Sequence, residues 1–237
     1  MNIDAAGLTH AVIVAGHSIL RRYSDFELDE SWYLLDFQIR EAPCYVGHAR
    51  AGVEAAAADP GALLIFAGGQ SRAEAGPRSE GHSYHTIAHT QDWWGCEGVA
   101  RRAITEEFSR DSFENLLLGI CRFKEFTGRF PAHVSLVSWE FKRERFQMHR
   151  EAIRWPRERF TYVGPNNPPH IEQALAAEER ARKKYAADPY SSGEEFRAKR
   201  VERNPFRRQH GYLYTSPELG ELLGHAGPEL FGGALPW

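Results

Sequence analysis

Long apolar runs are absent from this sequence. The longest lie within His10–Ala15 and Ala62–Ala67, far short of the roughly 20 residues that a membrane-spanning helix needs. No basic segment leading into a signal-type apolar stretch opens the chain, so a cytoplasmic protein without a membrane partner is expected. Cysteine is scarce: Cys44, Cys96 and Cys121 are odd in number, far apart and without a C-x-x-C, which argues against a disulfide framework or zinc ribbon and suits a reducing compartment. An excess of positive charge is lacking too. The formal net charge is −3, so nothing global draws the chain to nucleic acid or an anionic membrane, and nucleic acid is not an expected partner. Neither G-x-G-x-x-G, a P-loop nor H-E-x-x-H occurs. His82, His85 and His89 recur at spacings that one helix face would align, but neutral histidines are common on polar helix faces and no metal is assigned.

What remains is the composition of an ordinary globular domain, 42% apolar and 26% charged over 237 residues, enough for one sizeable core. Ala11-Val12-Ile13-Val14 and Leu63-Leu64-Ile65-Phe66 are continuously apolar and stop at Ala-Gly, as strands buried on both faces of a parallel sheet do. His133-Val134-Ser135-Leu136-Val137 and Phe160-Thr161-Tyr162-Val163 read as further strands. Between them Phe113, Leu116, Leu117, Ile120 and Phe123 share a helical face, and Phe146, His149 and Ile153 do so after the third strand. Asp111 with Glu114 three residues on is a helix start signal. The β, α, β, α alternation predicts a Rossmann-like three-layer α/β/α fold with a mainly parallel sheet over residues 1–164. Gly164-Pro165-Asn166-Asn167-Pro168-Pro169 then breaks regular structure. Residues 165–237 read as a C-terminal helical appendage packed on the same domain, with Phe206 and Trp237 against the core.

Ligand loops of α/β proteins follow strand ends, which singles out Gly68, Gly69, Gln70 and Ser71, where glycines would let backbone N–H groups meet an anion; a plain tight turn is the alternative. Glu107, Ser109, Arg110, Asp111, Ser112 and Asn115 crowd a loop that becomes a helix N-terminus. Such a junction can hold a phosphate, with Arg110 as a clamp; alternatively Asp111 and Ser112 only cap the helix while Arg110 pairs with Glu106 or Glu107. Ser138, Lys142 and Arg145 follow the third strand, and Ser79 and Glu80 complete the set. Gly69, Glu80, Arg110, Asn115 and Ser138 are expected to converge on one cleft. None of Ser71, Ser79, Ser109 and Ser138 has an evident His partner in sequence.

At these residues the chain resembles the DUF218 family, also called SanA/YdcF-like. Its pattern is a strand into Ser-Gly-Gly, then Ser-Glu, then Glu followed by Ser-Arg-Asn/Asp-Thr and Glu-Asn, a strand into Thr/Ser and a His-x-x-Arg helix. Here stand Ala67-Gly68-Gly69, Ser79-Glu80, Glu107-x-Ser109-Arg110-Asp111-Ser112-x-Glu114-Asn115, then Ser138 and Arg145. Ser112 replaces the usual Thr and keeps a hydroxyl, whereas Lys142 stands where bacterial members usually have His. The stretch from Trp139 to Arg145 and the tail with Asn204-Pro205-Phe206 and Leu235-Pro236-Trp237 look like the soluble fungal and algal branch. The resemblance implies a Rossmann-like fold with a pocket built from these motifs. One bacterial relative is associated with S-adenosylmethionine, and anchored members with envelope integrity and lipid-carrier metabolism.

Three functions are weighed. The first is binding of, or hydrolysis at, an anionic phosphorylated or nucleotide-like small molecule, with Glu80 or Glu107 as general base. The second is S-adenosylmethionine binding or methyl transfer, weakened by the single glycine of Val14-Ala15-Gly16-His17. The third is an interaction module for RNA or an acidic protein, using Arg197, Lys199, Arg200, Arg203, Arg207 and Arg208 with Phe206 and Tyr212 interleaved; in the alternative those cations are salt-bridged within the chain.

Overall fold

The computed structural model describes residues 5–237. Five strands, β1 (His10–Ala15), β2 (Ala62–Ala67), β3 (Ala103–Glu106), β4 (His133–Val137) and β5 (Phe160–Val163), form one all-parallel sheet in the order β3-β2-β1-β4-β5. Ala11, Ile13 and Ala15 enter one core layer while Val12 and Val14 enter the other. Burial on both faces is why β1 and β2 are apolar throughout instead of alternating. One layer is completed by α1 (Ala42–Ala57), α2 (Glu80–Thr90) and the short α3 (Glu97–Ala100) through Tyr45, Val53, Tyr84 and Val99. The other is completed by α4 (Ser112–Thr127) and α5 (Arg143–Ala152) through Leu116, Leu117, Ile120 and Phe146. This is the Rossmann-like three-layer arrangement that the alternation predicts.

β3 adds a strand to the four read from the sequence. It is an edge strand with only its last residue, Glu106, fully buried, so it carries no apolar run to announce it. Beyond β5 follow α6 (Ile171–Ala187), α7 (Glu194–Glu202), α8 (Tyr212–Thr215) and α9 (Gly220–Leu223). Their Tyr185, Phe196, Tyr212 and Leu222 join the α4–α5 core. Trp237 lies 4.9 Å from the Trp155 ring and 5.7 Å from Phe130, and its indole N–H donates to the Ile153 carbonyl at 3.0 Å. Phe206, expected to pack likewise, is 40% exposed, because it follows the turn after α7. Among the described residues no helix is long and apolar enough to cross a membrane.

The chain leaves β1 outward through β2 and β3, then returns to β4 and β5 on the other side. Strand order therefore reverses between β1 and β4. Open α/β sheets leave a crevice at such a point, outside the C-terminal strand ends.

Candidate functional site

The crevice is closed into a cavity of about 340 Å³. Gly16 and His17 after β1 and Trp139 after β4 line it, as do Glu80 of α2, Ser109, Arg110 and Asp111 before α4, and Ser112 and Asn115 within α4. Lys142 and Arg145 enter from the start of α5, Glu178 from α6, and Lys199 and Arg203 from α7 and its end. Of the five residues expected to converge, Glu80, Arg110 and Asn115 line the cavity, while Gly69 and Ser138 do not. Gly68, Gln70, Ser71, Ser79 and Glu107 do not line it either.

The glycine loop does a different task from the one its sequence suggests. Its N–H groups do not wait for an anion: Gly68 donates to the Glu106 carbonyl at 2.9 Å and Gly69 to the Ser109 carbonyl at 2.7 Å. A Cβ at Gly69 would stand 2.7 Å from that carbonyl oxygen, and one at Gly68, whose φ is +154°, only 2.5 Å from Glu80 Cβ. Glycine is required here because three loops meet. Ser71 donates its hydroxyl to Glu80, and Gln70 donates to the Pro77 carbonyl at 2.9 Å. Ser79 caps α2 by accepting from the His82 N–H at 2.9 Å.

The loop before α4 is equally self-contained. Buried Glu106 accepts from the Phe108 and Ser109 N–H groups at 2.8 and 3.1 Å and from the Tyr212 hydroxyl at 3.2 Å. Ser109 donates to Asn115 at 2.6 Å. Asp111 caps α4 by accepting the Glu114 N–H at 2.9 Å, but the Glu114 carboxylate reaches the Arg110 N–H at 2.8 Å and not the capping residue. Arg110 is therefore no free clamp: it forks onto Glu114 at 2.9 and 2.5 Å, not onto Glu106 or Glu107. The Glu107 carboxylate accepts from Thr105 at 2.8 Å. Half of the basic run near the C-terminus turns inward onto this loop. Arg200 donates to Asp111 at 2.7 Å, Arg203 to the Arg110 carbonyl at 3.1 Å and Arg208 to the Glu107 carbonyl at 3.1 Å.

These contacts leave an imbalance inside the cavity. Arg145 pairs with Glu178. Lys142, Lys199 and Arg203 have no carboxylate partner among the described residues. Burial first, then Arg145, pulls the Lys142 amine down to about 7, and burial with Arg203 pulls Lys199 to about 8. His17 is held well below the ordinary imidazole value by burial, with Lys142, His48, Arg145 and Arg203 adding to the effect. Groups so displaced and gathered in a cleft make it the candidate functional site.

Two serine–histidine contacts that sequence spacing could not reveal occur here. Ser138 Oγ lies 3.2 Å from His17 Nε2, and Ser112 Oγ lies 2.8 Å from His149 Nε2. The histidines come from 121 and 37 positions away. Sequence reading also passed over Lys199 and Arg203 as cavity residues. Their signal was present, as members of the basic run, but it pointed to an external partner. Glu178 carried none, being one carboxylate among several on a charged helix.

No family model matches the chain, so the DUF218 likeness rests on the motifs alone. The sequence is 25% identical over 235 residues to a Saccharomyces cerevisiae protein described as "Uncharacterized protein YOR238W", covering 78% of each chain. No solved structure matches.

Proposed function

We propose that the chain binds a phosphorylated or nucleotide-like small molecule in this cavity. The observation that carries the reading is the set of cations that make no ion pair: Lys142, Lys199 and Arg203 share a partly enclosed space with Arg145, which pairs with Glu178, while Glu178 and Glu41 act on Lys142 and Asp111 on Lys199 without pairing with them. Burial first, and then the like charges beside them, disfavour the ammonium groups, which is what the lowered lysines express. A bound dianion relieves that repulsion and accepts from several donors at once. Phe37, Trp139 and Phe141 also line the cavity and give it apolar surface for a base or sugar. Glu80, hydrogen-bonded by Ser71, is the carboxylate of the original pair that faces the space.

S-adenosylmethionine fits this field less well, because its sulfonium and ammonium would add positive charge where anions are already short. The DUF218 resemblance supports a small-molecule pocket, and its departure at Lys142 is milder than the residue change suggests. An amine at about 7 titrates in the range of the imidazole it replaces.

Thermal melting with inorganic phosphate, pyrophosphate, AMP or S-adenosylmethionine, against potassium chloride at equal ionic strength, tests the reading. The phosphates and AMP are expected to raise the melting temperature by mass action on the native state. Stabilisation by S-adenosylmethionine with none by the phosphate compounds overturns it.

A further inference from the structure

The cavity also contains a hydroxyl held as nucleophiles are held. Ser112 begins α4 and lines the cavity, with its Oγ 2.8 Å from His149 Nε2 and 3.3 Å from the Tyr185 hydroxyl. His149 is 1% exposed behind it on α5. Arg145 on its own helix, Arg200 on α7 and Asp111 before α4 are the charged groups that act on it. Burial, with the two arginines outweighing Asp111, keeps this imidazole neutral, down to about 3. Tyr185, from α6, packs edge-on at 4.4 Å and fixes the ring. As the side chains stand, Ser112 Oγ donates to the Tyr185 hydroxyl; with the two hydroxyls turned and Nε2 unprotonated, the neutral imidazole accepts the Ser112 proton instead.

We propose that Ser112 is a phosphoryl-accepting nucleophile and His149 its general base, which makes the cavity the site of a phosphoester-cleaving enzyme and not of a binder alone. The proposal rests on the anion reading above for its substrate class. Ser112 Oγ attacks phosphorus and the Oγ–P bond forms as the bond from phosphorus to the leaving oxygen breaks. His149 Nε2 takes the Oγ proton, the substrate's negative charge offsetting the burial and the two arginines that otherwise oppose the imidazolium, and passes it to the leaving alkoxide. Water then attacks the phosphoserine, giving its proton to His149, and phosphate leaves as Ser112 regains a proton. Arg145 and the unpaired cations lie where the equatorial oxygens gather charge, and the α4 N-terminus adds its own positive end. The pair differs from Ser138 with His17, because Ser138 is fully buried and does not line the cavity.

The test is covalent labelling of the full chain with an alkyl fluorophosphonate, read by intact mass and peptide mapping. Attack by Ser112 forms Oγ–P and expels fluoride. The expected result is one label on Ser112, none in Ser112→Ala, and labelling slowed at least about 100-fold in His149→Gln, the low end of what a general base contributes. Because His149 is buried, the wild-type pH profile serves as a second measure. A base that stays neutral gives a labelling rate flat from about pH 5 to 8, whereas attack by serine alkoxide alone climbs about tenfold per pH unit. No label on Ser112, a label on another serine, or the climbing profile each overturns the proposal. Inorganic phosphate separates the two readings. A Ser112 label that phosphate fails to slow upholds the nucleophile and removes the phosphate site, and melting stabilised by phosphate without any label removes the nucleophile alone.

Discussion

Lys142→Met removes the amine and keeps the length of the side chain, and we expect the variant to be more stable than the wild type at neutral pH. The amine is displaced from its ordinary value of 10.5 to about 7, first by burial and then by Arg145. Taken at full strength that displacement corresponds to roughly 5 kcal/mol against the folded state. Water in an open cavity screens it, so about 2 kcal/mol is the expected gain, or about 6 °C in melting temperature for a domain of this size. The sign follows from proton counting. Between about pH 7 and 10 the unfolded chain holds the lysine proton and the folded chain does not, so wild-type stability rises with pH across this window. The gap between variant and wild type is therefore widest at pH 7 and below and closes toward pH 10. Scanning fluorimetry from pH 6 to 10 measures it, and repetition with phosphate should show stabilisation of the wild type that the variant has largely lost. A variant less stable at pH 7, or a gap that does not change with pH, would refute the reasoning.

Arg200→Met should cost about 3 kcal/mol, because it strands the buried Asp111 carboxylate. Burial pushes Asp111 up, but Arg200 and the Glu114 N–H outweigh it and hold the carboxyl below its usual range; the wild type should lose this contribution below about pH 4, and acid titrations of the variant should lack that loss. Arg110→Ala should keep most of the melting shift produced by phosphate, since Glu114 already neutralises the guanidinium; complete loss of that shift would restore Arg110 as a clamp. Trp237→Ala should cost about 2 kcal/mol in urea unfolding, less than a fully buried tryptophan, for the lost tilted ring contact with Trp155. An unchanged transition midpoint would show the tail to be dispensable.

The place of the cavity was legible because it depends on local signals. Runs such as Leu63-Leu64-Ile65-Phe66 read as doubly buried strands, and open parallel sheets leave a crevice at the C-terminal strand ends. The helix start at Asp111 was legible for the same reason. What each residue does there was not, because partners are set by distance in space. Arg110 had four carboxylates within four positions, and the sequence could not choose Glu114 over Glu106 or Glu107. The glycines after β2 announced a close approach correctly, but not that a neighbouring backbone makes it. Ser112 meets His149 only because α5 crosses α4 at the right height, a matter of packing geometry with no trace in spacing.

The same reasoning changes what the C-terminal segment is for. Read along the chain, residues 165–237 are an addition to a finished α/β domain. In space they supply Glu178, Lys199 and Arg203 to the cavity, and Arg200 to the cap of α4. The N-terminal part alone would leave the crevice between β1 and β4 open to water, where charges attract weakly and are screened by salt. Covering it with α6 and α7 limits the water that reaches the cations, which lowers the lysines in the absence of an anion and would strengthen the proposed hold on one. The instability that Lys142 brings to the empty cavity and the affinity proposed for the occupied one thus have a single cause. A chain shortened before α6 is expected to lose both together, as a site built across two segments would and a domain with a dispensable tail would not.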